Sequence, residues 1–314
     1  MVLALLWYGQ LGNRHPNNAW VESAIAVKLG IARQAGSPKV VLLAGSGTMF
    51  GVDSHRLEQK YHVPTVNMGV NAGISLPAIL QTAKEGIGPG DLVILPLEYP
   101  LYNLDEPVSR TLVDWMNGHP EMLPWLAWEK ALKVIVQTPF SRILEGYRGI
   151  PDGFAVNGFY GPQHFDGRGD QTDSSRSRRT AGDVERVRSL PPERYGQLQD
   201  DGRYAWATLT SFRDWLLQQG ACPIFVPPPM AFRESYRSVS REYDFYTELK
   251  ERAREQGLFW LGDPYQAMRD ENDFFDTNYH LVDEAREQYT QLLIDWLGDT
   301  PRKRCMSFYQ AMSE

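Results

Sequence analysis

Ser46 and His280 are the residues whose types and surroundings best suit covalent chemistry. Ser46 lies between Gly45 and Gly47, directly after the aliphatic run 39–44. A serine in the turn after a buried strand exposes its hydroxyl above the sheet edge. Its own N–H, at the start of a helix, can point at a developing oxyanion. This pattern predicts a serine nucleophile, and such a serine needs a base.

Six histidines are candidates for that base: His15, His55, His62, His119, His164 and His280. His280 differs from the others because it lies just before the last helical pattern and follows Asp276 by four residues. A carboxylate at this spacing on a loop can orient the imidazole toward a serine on a neighbouring loop. The plainer interpretation is a helix-flanking histidine beside an ordinary capping acid.

The glycines at 45, 47 and 51 allow a second interpretation, a phosphate-binding loop, because G-x-G-x-x-x-G approximates the dinucleotide fingerprint. That fingerprint needs an acidic residue at the end of the next strand to bind the ribose hydroxyls. Here the next strand ends in Asn67, Met68 and Gly69, and the chain has no G-x-x-x-x-G-K-[ST] motif. The sequence therefore favours the nucleophile.

Patterns of apolar residues place strands and helices alternately along the chain. Aliphatic runs predict strands over 39–44, 63–66, 91–97, 222–226 and 258–260. Apolar residues at helical spacing predict helices over 20–33, 76–84, 206–216, 243–256 and 285–296. This alternation predicts one three-layer α/β domain over 20–297, with a parallel sheet flanked by helices. Residues 298–314 are expected to form a C-terminal tail.

Residues 149–202 differ from the rest in composition, because Gly, Asp, Arg and Ser dominate and aliphatic residues are nearly absent. Such a segment cannot bury enough apolar surface to fold alone, so we expect a long irregular insertion. Its basic cluster, Arg176, Arg178 and Arg179, is either a solvated loop or a flap that binds an anionic or hydroxyl-rich polymer. Before it, Trp115, Trp125 and Trp128 serve either as core packing or as a carbohydrate-stacking surface.

Composition excludes several classes of protein. The 314 residues include 32 basic and 39 acidic side chains, a net charge of −7 that argues against a nucleic-acid partner. Cys222 and Cys305 have neither zinc-finger nor disulfide-scaffold spacing, and no metal or cofactor is expected. The chain contains no run of 18 apolar residues, so the sequence predicts no complete transmembrane helix. The apolar start of segment 1–19 is either a plain first element or the end of a membrane anchor absent from this chain.

Taken in order, four blocks of the sequence resemble the SGNH/GDSL hydrolase superfamily. The blocks are Gly45-Ser46…Phe50-Gly51-Val52-Asp53, Asn67-Met68-Gly69…Gly73, Gly90-Asp91-Leu92-Val93-Ile94-Leu95, and Asp276…His280-Leu281. The chain is similar in particular to the divergent branch found in bacterial exopolysaccharide O-acetylation and D-alanyl-transfer systems. The resemblance covers roughly residues 20–105 and 204–297, and it leaves the insertion unmatched.

This resemblance implies an SGNH-hydrolase-like, flavodoxin-like fold and a Ser-His-Asp triad of Ser46, His280 and Asp276. It implies an oxyanion hole built from the N–H groups of Ser46 and Gly73. The remaining candidates for substrate contact are Gly47, Asn71, Glu98 and Tyr99.

The activity implied is that of a serine-dependent O-acyl, most simply acetyl, esterase or transferase acting on an exported bacterial polysaccharide through an acyl-serine. The acyl donor would come from a membrane-bound acyltransferase. The place implied is the periplasmic, extracytoplasmic face of a bacterial inner membrane.

Two departures from the family pattern matter. The third block has Leu95-Pro96-Leu97-Glu98-Tyr99 in place of Gly-x-Asn-Asp, so an asparagine that donates to the oxyanion is missing. Losing one such donor costs about 3–4 kcal/mol of transition-state stabilisation. The alternative function is therefore a catalytically weak or inactive polysaccharide-binding or assembly subunit. The Asp276–His280 spacing is also one residue longer than usual, which leaves Asp273 as an alternative acid. Glu98 either pairs with an arginine of the insertion or contacts sugar hydroxyls.

Overall fold

The centre of the molecule is a four-stranded parallel sheet. A computed structural model describes residues 2–196, 198 and 203–312. The strands are β1 (Val40–Leu42), β2 (Thr65–Asn67), β3 (Leu92–Leu95) and β4 (Cys222–Phe225), in the order β2-β1-β3-β4. In register, Val41 pairs with Val66 on one side and Val93 on the other. All four strands are buried along their length, as their aliphatic composition predicts.

Helices account for most of the remaining regular structure. They are α1 (Val2–Gly9), α2 (Ala19–Ala35), α3 (Ser46–Gly51), α4 (Ser54–Tyr61), α5 (Leu76–Ala83), α6 (Arg110–Gly118), α7 (Trp128–Gln137), α8 (Phe140–Arg148), α9 (Ala181–Ser189), α10 (Trp206–Gln218), α11 (Ser235–Ser238), α12 (Ser240–Glu255), α13 (Pro264–Ala267), α14 (Asp283–Leu297) and α15 (Pro301–Ala311). Two short strands, β5 (Met230–Ala231) and β6 (Met268–Arg269), form a separate parallel pair. Among the described residues no helix is both long and apolar enough to cross a bilayer.

Alternate residues of each strand point to opposite faces of the sheet, and each face has its own hydrophobic core. Val41 and Val93 pack in the core that includes side chains of α2, α5, α10 and α12. Val40 and Ile94 pack in the core that includes α4, α14 and α15. The prediction of an α/β fold, a parallel sheet with flanking helices, is therefore confirmed.

The C-terminal segment differs from the expectation. Residues 301–311 form α15, which packs in the second core, so this part of the chain is not a tail. Cys305 of α15 forms a disulfide with Cys222 of β4, across 83 residues of sequence. The two cysteines lacked any recognisable disulfide spacing because the fold, and not the local sequence, brings them together. The strand expected over 258–260 is reduced to a single parallel bridge between Trp260 and Phe225.

The insertion covers the free edge of β2. The Asn67 N–H donates to the Arg168 carbonyl at 2.8 Å, and the next residue, Gly169, has φ +90°. A Cβ atom on Gly169 would lie 2.6 Å from the Asn67 carbonyl oxygen, so only glycine permits this approach. Asp170 then accepts hydrogen bonds from the Ser54 N–H and the Asn67 amide, each at 2.7 Å. The insertion is thus packed against the sheet.

Candidate active site

Ser46 is the first residue of α3, immediately beyond the carboxyl end of β1. Gly45 is the N-cap residue and is extended, with φ −78° and ψ −163°. Ser46 is partly exposed, whereas Gly45 and Gly47 on either side are buried. A Cβ atom on Gly45 would lie 2.7 Å from the Cβ atom of Ala72, which explains why a glycine precedes the serine. The strand–turn–helix geometry exposes the serine hydroxyl and leaves its neighbours packed.

Glu98 holds this turn from below. Its carboxylate accepts hydrogen bonds from the Gly45 N–H at 2.9 Å and the Gly47 N–H at 2.7 Å, and the residue is buried. Burial raises the pKa of Glu98, and the two N–H donors oppose that rise. Glu98 accepts hydrogen bonds from the N–H groups of the residues before and after Ser46, but not from the Ser46 N–H itself. It therefore neither pairs with an arginine of the insertion nor offers a surface to sugar hydroxyls.

His280 meets Ser46 although 234 residues separate them. Its Nε2 atom lies 2.8 Å from Ser46 Oγ, and its Nδ1 atom lies 2.7 Å from Asp276 Oδ1. His280 and Asp276 are both 5% exposed, so Ser46 is the accessible member of the three. Asp273, the alternative acid, instead pairs with Arg176 at 2.8 Å. The expected convergence of serine, histidine and aspartate at the sheet edge is confirmed as geometry.

Aromatic rings fix the plane of the His280 imidazole. Phe50 of α3 stacks on it with a centroid distance of 4.1 Å and an interplanar angle of 6°. Tyr160 of the insertion approaches edge-on at 5.8 Å. Since Phe50 lies one turn along the helix that begins at Ser46, the same short element positions both the nucleophile and the ring that faces it.

Tyr160 also completes the environment of the triad acid. Its hydroxyl donates a short hydrogen bond to Asp276 Oδ2, the oxygen that His280 does not use. Burial alone would raise the pKa of Asp276. The hydrogen bond and charge of His280, together with the Tyr160 hydroxyl, outweigh burial and hold that pKa below its usual value. Both carboxylate oxygens are thus engaged, and Asp276 is held as an anion beside His280 Nδ1.

A second contact from the insertion holds the loop that carries His280. Glu193 accepts hydrogen bonds from the Asn278 amide at 2.6 Å and from the hydroxyls of Tyr279 and Tyr195. Burial is the main cause that raises the pKa of Glu193. Asn278 and Tyr279 immediately precede His280, so Glu193 fixes the backbone on one side of the imidazole.

The expected oxyanion hole is only partly assembled. The Ser46 N–H lies at the N-terminus of α3, where backbone N–H groups favour negative charge. The Gly73 N–H is already bound to Asn71 Oδ1 at 2.7 Å, because Asn71 caps the turn Ala72–Ile74. Gly73 therefore offers an oxyanion donor only if Asn71 rotates away or shares it. Asn67 is also engaged, since its amide donates to the Thr48 carbonyl and to Asp170.

Three residues expected to contact substrate are buried instead. Gly47 and Glu98 bond to each other beneath the turn, and Tyr99 packs against Phe245 and Tyr246 with no exposed surface. A side chain that solvent does not reach cannot contact a polymer directly. Asn71 is the partly exposed member of that set.

The basic cluster of the insertion is engaged within the molecule. Arg176 pairs with Asp273, Arg178 pairs with Asp173, and the Arg179 guanidinium donates to the Phe274 carbonyl. These charges therefore attach the insertion to its own turns and to the loop before Asp276.

Tyr160 and Glu193 were missed by sequence reasoning. A polar segment with few aliphatic residues suggests a solvated loop, and nothing in its spacing points to the triad. The one signal was the aromatic pair Phe159-Tyr160 in a stretch where apolar residues are scarce. Phe159 stacks on Phe275, the residue before Asp276, with a centroid distance of 4.9 Å.

Comparison with known proteins adds no relative. The chain matched no family model, no curated protein and no solved structure. Among the described residues, no group of three His, Cys, Asp or Glu side chains is placed to bind a metal ion.

Proposed function

We propose that this protein is a serine-dependent acyl-transfer enzyme that works through an acyl-Ser46 intermediate. The observation that supports this most is the continuous chain of contacts from Ser46 Oγ to His280 Nε2 and from His280 Nδ1 to Asp276. Nucleophile–base and base–acid distances of this size define the Ser-His-Asp arrangement on unrelated folds.

The residues have the following roles in the proposed reaction. Ser46 Oγ attacks the acyl carbonyl carbon as His280 Nε2 takes its proton, and Asp276 stabilises the imidazolium that forms. His280 then returns the proton to the departing oxygen, which leaves the acyl group on Ser46. In the second half, His280 takes a proton from water or from an acceptor hydroxyl, whose oxygen attacks the acyl carbon; the bond to Ser46 Oγ then breaks, and His280 returns the proton to Ser46 Oγ. The Ser46 N–H stabilises both oxyanions.

An O-acetyl esterase or O-acetyltransferase of an exported bacterial polysaccharide, with an SGNH-like fold, is the form of this activity that the sequence resemblance favours. The strand order β2-β1-β3-β4, continued by the bridge at Trp260, is the flavodoxin-like order 2-1-3-4-5. The disulfide Cys222–Cys305 supports a place outside the reducing cytosol, such as the periplasmic face of the inner membrane. In this proposal an acyl donor comes from a membrane-bound acyltransferase.

The alternative is a polysaccharide-binding or assembly subunit that retains the fold with weak catalysis. One observation favours it. The Gly73 N–H is bound to Asn71, and the segment Leu95–Tyr99, which stands in place of the superfamily's Gly-x-Asn-Asp block, supplies the buried carboxylate of Glu98 and no asparagine.

Hydrolysis of p-nitrophenyl acetate tests the proposal. The wild-type protein should release p-nitrophenol with a burst, and Ser46→Ala should abolish turnover. Mass spectrometry of the intact acid-quenched protein should find one acetyl group on the wild type and none on the variant. Ser240→Ala, at an exposed serine of α12, is the matched control and should behave as the wild type. Equal turnover by the wild type and Ser46→Ala would reject the enzyme and favour the binding subunit.

A further inference from the structure

Exposed hydrophobic side chains are concentrated on one part of the surface. Among the described residues, thirteen of the eighteen exposed large hydrophobic side chains lie on α1, α7, α8 and the turn before α7. We call these residues the apolar platform: Val2, Leu3, Leu5, Leu6, Tyr8, Trp125, Trp128, Leu132, Ile135, Val136, Phe140, Leu144 and Tyr147. A contiguous apolar surface of this kind on a folded protein marks a site of contact with another phase or molecule.

Each of the helices α7 and α8 presents a row of exposed hydrophobic side chains. Trp128, Leu132, Val136, Phe140 and Leu144 follow one another at intervals of four residues, and each is at least 43% exposed. Intervals of four place side chains on the same side of a helix. The opposite side is held by buried Val134 of α7 and by Ile143 of α8. These helices therefore have an apolar face against the protein and a second apolar face away from it.

Helix α1 adds further exposed hydrophobic side chains to the platform. None of its residues is buried, and its sequence VLALLWYG has no charged side chain. The Tyr147 hydroxyl of α8 donates to the Leu6 carbonyl at 3.0 Å, and the Trp7 indole donates to Asn117 at 3.0 Å. Arg142, buried beneath α8, donates to Gln10 at 2.8 Å. These contacts fix α1 beside α8 while its apolar side chains remain in solvent.

Exposed cations lie beside the platform. Lys133 of α7 and Arg148 of α8 are exposed. The carboxylates of the same helices are paired, Glu129 with Arg203 and Glu145 with Arg110. A chain with a net charge of −7 thus presents exposed cations beside these apolar side chains, and no ion pair within 4.0 Å is found for Lys133 or Arg148 among the described residues.

We propose that the apolar platform inserts into the interfacial region of an anionic lipid bilayer. Tryptophan and tyrosine favour the headgroup level, aliphatic side chains reach the acyl region, and nearby cations bind anionic headgroups. At 1.5 Å per residue, the eight residues of α1 are roughly 12 Å long, a length that suits a contact in the interfacial region. A protein partner would need about one hydrogen bond per 100–200 Å² of interface, and the outward faces offer few polar side chains for that purpose.

The position of Trp125 connects the platform to the candidate active site. A cavity of about 270 Å³ has Trp125, Ala72 and Gly73 among its lining residues. Ala72 and Gly73 belong to the turn that packs beside Gly45. A bilayer against the platform would therefore lie next to a cavity whose lining includes Ala72, the residue that packs beside Gly45.

Co-sedimentation with vesicles tests this proposal on the full chain. The wild type should bind vesicles of phosphatidylethanolamine and phosphatidylglycerol at 3:1 more strongly than vesicles of phosphatidylcholine alone. Leu132→Glu with Val136→Glu should lower the partition coefficient by about tenfold or more, because two exposed aliphatic side chains become charged. Lys133→Glu with Arg148→Glu should remove the preference for phosphatidylglycerol and leave binding to phosphatidylcholine vesicles largely unchanged.

The matched control is Val239→Glu with Tyr243→Glu, since both side chains are 47% exposed but lie outside the platform. This control should bind vesicles as the wild type does, and circular dichroism should show the same fold for all variants. Equal binding by the platform variant and the control would overturn the proposal. So would a wild type that binds no vesicles but forms a dimer in light scattering that Leu132→Glu with Val136→Glu dissociates, because the platform would then join two copies of the chain.

Discussion

The turn that carries Ser46 and the loop that carries His280 meet at hydrogen-bond distance, but different kinds of contact hold them. The Ser46 turn is held by backbone atoms, with the N–H groups of Gly45 and Gly47 bound to one carboxylate from the end of the neighbouring strand. The His280 loop is held by side chains from the insertion, through Tyr160 on Asp276 and Glu193 on Asn278 and Tyr279. The Ser46 turn follows directly from a strand of the sheet. The His280 loop instead depends on Tyr160 and Glu193 of the insertion, which are more than 80 residues away along the chain.

This difference separates two requirements of the proposed chemistry. The nucleophile must project from a rigid turn, and a parallel sheet provides that turn at its carboxyl edge. The base must keep one tautomer and one ring orientation, which the acid and the groups around it decide. Variants that change the Ser46 turn or the His280 loop separately can therefore measure how much each region contributes to turnover and to stability.

The largest effect is expected at the acid. Asp276→Asn should lower kcat for p-nitrophenyl acetate by about 10⁴-fold, because an amide cannot stabilise the imidazolium and favours the wrong tautomer. Asp273→Asn is the matched control, since Asp273 pairs with Arg176 and not with His280. If the control lost as much activity as Asp276→Asn, the acid assigned by the geometry would be incorrect.

The Ser46 turn could be predicted from the sequence more completely than the contacts that hold the His280 loop. The strand β1, the glycines around Ser46 and the start of a helix are local signals, and each follows from short-range propensity. The Asp276–His280 pair was also recognisable, because its two members are four residues apart. Tyr160, Glu193 and the disulfide depend on contacts between segments far apart in sequence, which composition and periodicity do not encode. Glu98 was recognised as a candidate but assigned the wrong role, because its role depends on its contact with the backbone of Gly45 and Gly47, which are about 50 residues earlier in the chain.

A weaker effect is expected from loss of the support under Ser46. Glu98→Ala leaves the buried N–H groups of Gly45 and Gly47 without an acceptor, which should lower the free energy of unfolding by about 3 kcal/mol. Displacement of the turn should lower kcat on the order of 100-fold. Glu98→Gln keeps one acceptor oxygen and should be affected less in both measurements. Urea unfolding and ester turnover on the same samples give the two values, and a Glu98→Ala protein with wild-type stability would contradict this role.

At the contact between the insertion and Asp276, Tyr160→Phe should have a moderate effect on turnover and stability. It removes the hydroxyl that donates to ionised Asp276, and we expect kcat to fall about tenfold and the free energy of unfolding at pH 7 to fall by about 1.5 kcal/mol. The pKa of Asp276 is lowered in the folded protein, so its contribution to stability is present above the ordinary aspartate pKa near 4. This contribution is lost as the pH falls through the lowered value.

The stability difference between wild type and Tyr160→Phe should therefore shrink between pH 7 and pH 3 in urea unfolding experiments. Tyr99→Phe is the matched control, because the Tyr99 hydroxyl is buried without a hydrogen-bond partner among the described residues. It should leave activity and its pH dependence unchanged. A difference for Tyr160→Phe that stays constant down to pH 3 would mean that the hydroxyl acts by packing and not through the carboxylate.

The smallest effect is expected at the basic cluster of the insertion, for which the composition left open either a solvated loop or a polymer-binding flap. Arg176 and Arg178 form exposed ion pairs, which typically contribute less than about 1 kcal/mol each because water and salt screen them. Arg176→Ala with Arg178→Ala should therefore change the free energy of unfolding by no more than that amount and leave turnover of p-nitrophenyl acetate intact. Binding to an acetylated acidic polysaccharide, measured by isothermal titration calorimetry, should also be unchanged, because these guanidinium groups already have carboxylate partners. A loss of polymer binding with ester turnover preserved would show instead that the pairs open for substrate, and the insertion would then both hold the His280 loop and bind the polymer.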